Sequence, residues 1–231
     1  MKKILRIVGV VGVVLLLALA IIFSMRKPSI AEQVWDMDTT MGNIDAKNYF
    51  IIYSDIVCPY CVAFENAMVE NEEDLKKYIE ENDILIEVRL SEFLYEYGQS
   101  RPMSSRYSAQ ATYCAKNEGK FWDYYNTAIH QVWTEYFEAN GKSNYTEVSA
   151  LSKEYWIEIG KKVGLGEKFE NCVKKDETLK EVVAVTGKVA KLVGGGMPYF
   201  KFNNFTTSGF DMSWGYSGVL QYFDSGLKSL K

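Results

Sequence analysis

Cys58 and Cys61 enclose two residues, as Cys58-Pro59-Tyr60-Cys61, a spacing with two chemical uses: thiol-disulfide exchange, or half of a tetrahedral zinc site. Zinc needs two more ligands. As soft or imidazole donors outside the motif the chain offers only Cys114, Cys172 and its one histidine, His130, and none of these forms a second closely spaced pair. The motif is therefore read as a redox pair that needs neither metal nor cofactor. Cys58, at the more exposed start of a helix, is the expected nucleophile, because the free N–H groups and positive dipole end there favour a thiolate. Cys61, one turn deeper, is the expected resolving thiol that releases a mixed disulfide. Pro59 suits a first helical turn, where its missing N–H costs little. His130, beside Ile129 and Trp133, is read as structural.

Such a pair has to stand where a buried strand ends and a helix begins. Asn48 to Ser54 (NYFIIYS) is an apolar, β-branched and aromatic run of the kind that makes a central strand, and the motif follows at once. From Cys58 to about Asn82 the residues Val62, Phe64, Ala67, Met68, Leu75, Tyr78 and Ile79 recur at near-helical spacing. Ile84 to Leu90 (ILIEVRL) reads as the next strand. From Pro102 to Val193 the pattern is mostly helical, with Trp122, Tyr125, Ile129, Val132, Trp133 and Tyr136 marking one face. Further helices are expected over Thr146 to Val163, Gly166 to Lys174 and Asp176 to Leu192. After Gly194-Gly195-Gly196-Met197-Pro198 come two short strands, Tyr199 to Asn203 and Thr206 to Phe210, joined at Asn204 as a hairpin. Tyr216 to Leu230 closes as an amphipathic helix.

Hydrophobic residues make up 48% of the 231-residue chain, which favours a packed fold over disorder. A net charge of -4 leaves no electrostatic footprint for nucleic acid. Residues 7–25 are uncharged and apolar throughout, and 19 residues at a rise of about 1.5 Å cover most of a bilayer core of about 30 Å. Lys2, Lys3 and Arg6 before this run, against Arg26 and Lys27 after it, give a slight positive-inside bias toward an inward amino terminus and a domain outside. A cleaved signal peptide with Ala18-Leu19-Ala20 at its end is the alternative, and it also exports the domain. Residues 28–47 are polar and mixed and read as a tether.

The chain resembles the thioredoxin superfamily, and within it the membrane-anchored or exported DsbA-like disulfide oxidoreductases. The resemblance rests on YSDIVCPYC, on Ala111-Thr112-Tyr113-Cys114-Ala115 followed by Gly119-Lys120-Phe121-Trp122, on the helical insertion and on GGGMPYF. It implies an α/β, thioredoxin-like fold with an inserted all-helical domain, preceded by a single transmembrane helix: an anchor over 1–27, a tether over 28–47, a core in two parts over 48–101 and 194–231, and the helices over 102–193. It also implies that Pro198 is a cis-proline beside the reactive pair and that Met197 offers backbone hydrogen bonds to an extended substrate, with Tyr60 beside them. Glutaredoxins share Cys-Pro-Tyr-Cys but are small cytosolic domains without the insertion or anchor.

Two positions depart from the family pattern. Relatives commonly carry an acid six residues before the first cysteine, where this chain has Ile52; Asp55 is the nearest carboxylate, either substituting in proton transfer or capping the motif loop. Met197 stands where Thr or Val is more common. Cys114 and Cys172 resemble a structural disulfide of some relatives, with two buried free thiols as the alternative. The function expected is extracytoplasmic disulfide exchange with thiol- or disulfide-containing exported proteins, as an oxidase renewed by a membrane redox partner. A tethered reductase or isomerase is the enzyme alternative. A peptide-binding module with a static disulfide is the alternative of another class. Tyr95, Tyr97, Tyr199 and Phe200 either line a peptide groove or fill the core.

Overall fold

The structure is a computed structural model and describes residues 30–141, 144, 146–194 and 196–229. The chain divides into two units, 1–33 and 34–231. Of the first, only the helical turn Ile30–Gln33 is described, and the anchor expected over residues 7–25 lies outside the described residues. Among the described residues no helix is long and apolar enough to cross a membrane.

The second unit is built on a five-stranded sheet in the order β1-β3-β2-β4-β5, with β1 Thr40–Gly42, β2 Asn48–Ser54, β3 Ile84–Leu90, β4 Tyr199–Phe202 and β5 Phe205–Ser208. β2 and β3 are parallel, as a strand–helix–strand crossover requires, and the other pairings are antiparallel. Part of the expected tether belongs to this sheet: Thr40 to Gly42 pair with Leu85 to Glu87. A three-residue edge strand is too short to show alternation, and its signal was therefore missed. Gly42, at φ +110°, lies where a Cβ would come within 2.4 Å of the Ile84 carbonyl oxygen.

Alternation along β2 sends Phe50 and Ile52 to one face and Tyr49 and Tyr53 to the other. On the first face α1 (Pro59–Glu70) and α10 (Gly215–Lys228) close an aromatic core, with ring centroids 4.4 Å apart for Phe50–Phe223 and 4.5 Å for Phe64–Phe200. Gly226 permits the close approach of α10, since a Cβ there would lie 2.3 Å from the Phe202 ring. On the second face β3 buries two charges, Glu87 and Arg89, which satisfy each other. Arg89 donates to Glu87 Oε2 at 2.9 and 2.6 Å and to the hydroxyls of Tyr53 and Tyr49 at 3.0 Å each, with the Trp35 ring 3.7 Å away. The other Glu87 oxygen accepts the Trp35 and Asp36 N–H groups at 2.8 and 3.1 Å, pinning the start of this unit to the sheet.

The run expected to be one helix from Cys58 to Asn82 breaks at Asn71 into α1 and α2 (Glu72–Glu81). Between β3 and β4 lie α3 (Phe93–Tyr97), α4 (Met103–Lys116), α5 (Phe121–Val132), α6 (Thr146–Ser149), α7 (Lys153–Lys162), α8 (Glu167–Lys174) and α9 (Leu179–Ala190). The helix expected over Thr146 to Val163 is thus two. The helical body also begins earlier than Pro102, at Phe93. Past Val132, α5 widens into π-helical turns over Trp133–Glu138, which bury Trp133 and Phe137 and leave Tyr136 half-buried against Tyr155. A disulfide joins Cys114 of α4 to Cys172 of α8. The hairpin turn falls at Asn203 and Asn204, one residue earlier than expected, with Asn203 in the left-handed region at φ 44° that asparagine tolerates well.

Candidate active site

In the antiparallel register of β2 and β4, Tyr53 stands opposite Tyr199. The end of one strand therefore adjoins the start of the other, and the loops leaving them meet. Across 139 residues of chain, the Cys58 thiol reaches the Met197 carbonyl oxygen, Sγ to O 3.8 Å. The Met197–Pro198 peptide is cis, Pro198 is buried, and its carbonyl accepts the Gly209 N–H at 2.8 Å.

Cys58 is the N-cap residue of α1, and Pro59 opens the helix. The Cys58 N–H donates to the Asp55 carbonyl at 2.9 Å, a tight turn that swings the chain from strand to helix. Cys58 is the more exposed of the two cysteines, as expected, but only slightly: it is 5% exposed and Cys61 0%, both as free thiols. The turn folds the first cysteine inward, and the Met197 segment lies against its sulfur. Tyr60, 44% exposed, is the outward-facing side chain of the motif. Tyr199 is half-buried and Phe200 fully buried, so of these two only Tyr199 remains partly accessible, whereas Tyr97 is exposed.

Burial pushes the Cys61 thiol well above its ordinary range, and the neighbouring Cys58 and Glu65 act in the same direction. Asp55 is buried, and its carboxylate is fully engaged. Oδ1 accepts the Val57 N–H at 2.9 Å, while Oδ2 accepts the Leu94 N–H at 2.8 Å and the Ser105 hydroxyl at 2.7 Å. Burial raises it to about 6, against the lowering effect of these donors. The arrangement braces the motif turn against α3 and α4.

Sequence reasoning passed over Glu65. It is 2% exposed, and burial pushes its carboxyl up to about 8. A signal existed: Glu65 is the one charge in Val62 to Met68, four residues after Cys61 and so on the same helix face. His130, exposed, meets Asn66 with Nδ1 3.2 Å from Oδ1 and takes no part in the site. Among the described residues no cluster of His, Cys, Asp and Glu could hold a metal ion.

Residues 35–194 match the family model described as thioredoxin. Among solved structures, the chain is similar to oxidised BdbD from Bacillus subtilis, with 14% identity and a TM-score of 0.59, covering 82% of this chain and 92% of that one. It is also similar to MdbA, a thiol-disulfide oxidoreductase from Corynebacterium diphtheriae, with 17% identity and a TM-score of 0.56, covering 82% and 90%. These likenesses are of fold: an α/β, thioredoxin-like sheet with an inserted helical domain. A CRISPR-associated protein of Methanocaldococcus jannaschii is 39% identical over 62 residues, which make up 27% of this chain and only 9% of that protein, so no role is carried from it. The family match spans most of the chain and includes the cysteine motif, and on that ground the chain belongs to the thioredoxin family.

Proposed function

We propose that this protein is an extracytoplasmic thiol-disulfide oxidoreductase that oxidises exported proteins through Cys58 and Cys61. The observation that carries the reading is the Cys58 sulfur at a helix start, beside the Met197 carbonyl, with Cys61 buried one turn deeper. A substrate cysteine brought alongside Met197 and Pro198 meets the Cys58 sulfur, and Cys61 is the internal partner in exchange. The remaining carbonyls and N–H groups of the Met197 segment, with Tyr60 at its border, serve to hold an extended peptide. The likeness in fold to a protein described as a thiol-disulfide oxidoreductase supports the same chemistry.

Two features support this compartment. Residues 7–25 serve as a membrane anchor with the catalytic unit on the outer side, and the Cys114–Cys172 disulfide suits an oxidising environment. A membrane redox partner then renews the oxidised pair. The test is the equilibrium of the full-length protein with glutathione buffers. Half-reduction of the Cys58–Cys61 pair between about -120 and -180 mV supports the oxidase, and a value near about -250 mV or lower assigns a reductase instead. A pair that no buffer opens, with no acceleration of refolding of a reduced protein, leaves only a binding module.

A further inference from the structure

Glu65 follows Cys61 by one helical turn and is buried with neither carboxyl oxygen in a hydrogen bond. Two hydroxyls face it and favour its charged form: Ser54 from the end of β2 and Tyr125 from α5. Both are themselves buried without an aligned partner. Native interiors gather buried polar groups of this kind into clusters that face one another. Glu65, Ser54 and Tyr125 form one buried polar cluster beside the Cys61 thiol.

Glu65 and Tyr125 also line a narrow cleft with Met41, Glu72, Trp122 and Asn126, and its volume of about 10 Å³ matches a single water. The cleft shares no lining residue with the contact between Cys58 and Met197. Asp55, the other buried carboxyl near the pair, is already held by three donors, from Val57, Leu94 and Ser105.

We propose that Glu65 is the proton-relay residue of Cys61, passing a proton between the buried thiol and solvent through this cleft, with Ser54 and Tyr125 steadying its ionised form. The assignment rests on the exchange reaction proposed above. When a substrate thiolate attacks Cys58 Sγ of the oxidised pair, a substrate–Cys58 disulfide forms and the Cys58–Cys61 bond breaks. The bonding pair leaves on Cys61. Glu65 donates its proton to that thiolate and regains one through the cleft. A second substrate thiolate then attacks the substrate sulfur and releases Cys58, so two electrons have passed from the substrate dithiol to the cysteine pair. In the opposite direction the Glu65 carboxylate takes the Cys61 proton before Cys61 attacks Cys58.

The groups that tune this acid are named by the packing. Cys61 shares its helix, Asp55 raises it from the turn after β2, Tyr125 and Ser54 lower it from α5 and β2, and Glu72 of α2 lines the cleft. Burial dominates and keeps the carboxyl protonated up to about 8, the form that donates to a departing thiolate.

The test uses the full-length protein, oxidised with glutathione disulfide and then mixed with reduced glutathione between about pH 6 and 9, with opening of the Cys58–Cys61 bond followed by acid quench and alkylation. Glu65→Gln is expected to slow opening by about tenfold or more below pH 8 and to erase the break in the wild-type profile near 8. Tyr125→Phe moves that break without erasing it. The alkylation rate of Cys58 in the reduced variants stays at the wild-type value, which separates a lost relay from a damaged fold. Wild-type rate and profile in Glu65→Gln overturn the relay; if that variant does not fold, an unmoved break in Tyr125→Phe does so. A wild-type pair that glutathione never opens overturns the exchange reading itself, and the relay with it.

Discussion

The thiol of Cys58 lies 3.8 Å from the carbonyl oxygen of Met197, although 139 residues separate them. One register, Tyr53 opposite Tyr199, sets the start of β4 beside the end of β2 and so allows this meeting. The reactive contact is thus made where two neighbouring strands, β2 and β4, adjoin one helix start, and the helical body supplies Ser105 and Tyr125 beside it.

Replacing the resolving thiol separates the two halves of exchange. Cys61→Ser retains attack by the Cys58 thiolate on a substrate disulfide and stalls at the mixed disulfide, so a disulfide-containing protein substrate becomes trapped and visible as a slower band on a non-reducing gel. Cys58→Ser traps nothing. Equal trapping by the two variants contradicts the assignment of the nucleophile.

The Cys114–Cys172 bridge joins α4 to α8 across 58 residues of sequence, far from the Met197 segment in the chain. In the chain-entropy model closing such a loop contributes about 4 kcal/mol. Changing both cysteines to alanine is expected to lower unfolding stability by about 2–4 kcal/mol, read from urea denaturation, while the exchange rate at Cys58 is retained. Loss of exchange with unchanged stability places this bridge in the reaction instead.

Glu87 and Arg89 form a buried pair closed by Tyr49, Tyr53 and Trp35. Removing one partner leaves a buried charge without its counterion, so Arg89→Met costs about 3–5 kcal/mol. Glu87→Gln likewise leaves the buried Arg89 without its counterion and also weakens the acceptor of the Trp35 and Asp36 N–H groups, and faster proteolysis before Thr40 reports it. A double replacement by apolar residues that restores stability but not protease resistance distinguishes the charge cost from the pinning.

Stability should fall as pH rises. Unfolded Glu65 ionises above about 4.5, whereas the folded carboxyl holds its proton to about 8, so the unfolded chain gives up the proton first. The loss starts near 4.5, grows until about 8 and then levels. Asp55, raised to about 6, adds to it over the lower part of that range. The fall between pH 5 and 8 is expected to be on the order of a few kcal/mol and to shrink in Glu65→Gln, as measured by denaturant unfolding at both values. An identical fall in that variant means Glu65 is ionised in the folded protein.

What the chain alone determined was local. Strand patterning in NYFIIYS and ILIEVRL, proline after the first cysteine, and helical spacing past it place a dithiol at a strand–helix junction, because hydrophobic period and turn chemistry act over a few residues. Tertiary structure decided the rest. The short strand β1 has too few residues to carry a period, and the break at Asn71 yields to packing on either side. The Met197 segment that lies against the Cys58 sulfur is 139 residues away, and the burial of Glu65, hinted at by its place as the one charge in Val62 to Met68, is completed with Tyr125 of α5. Exposure, and with it the cost of a charge, depends on which distant element arrives, and no local pattern of residue types records that.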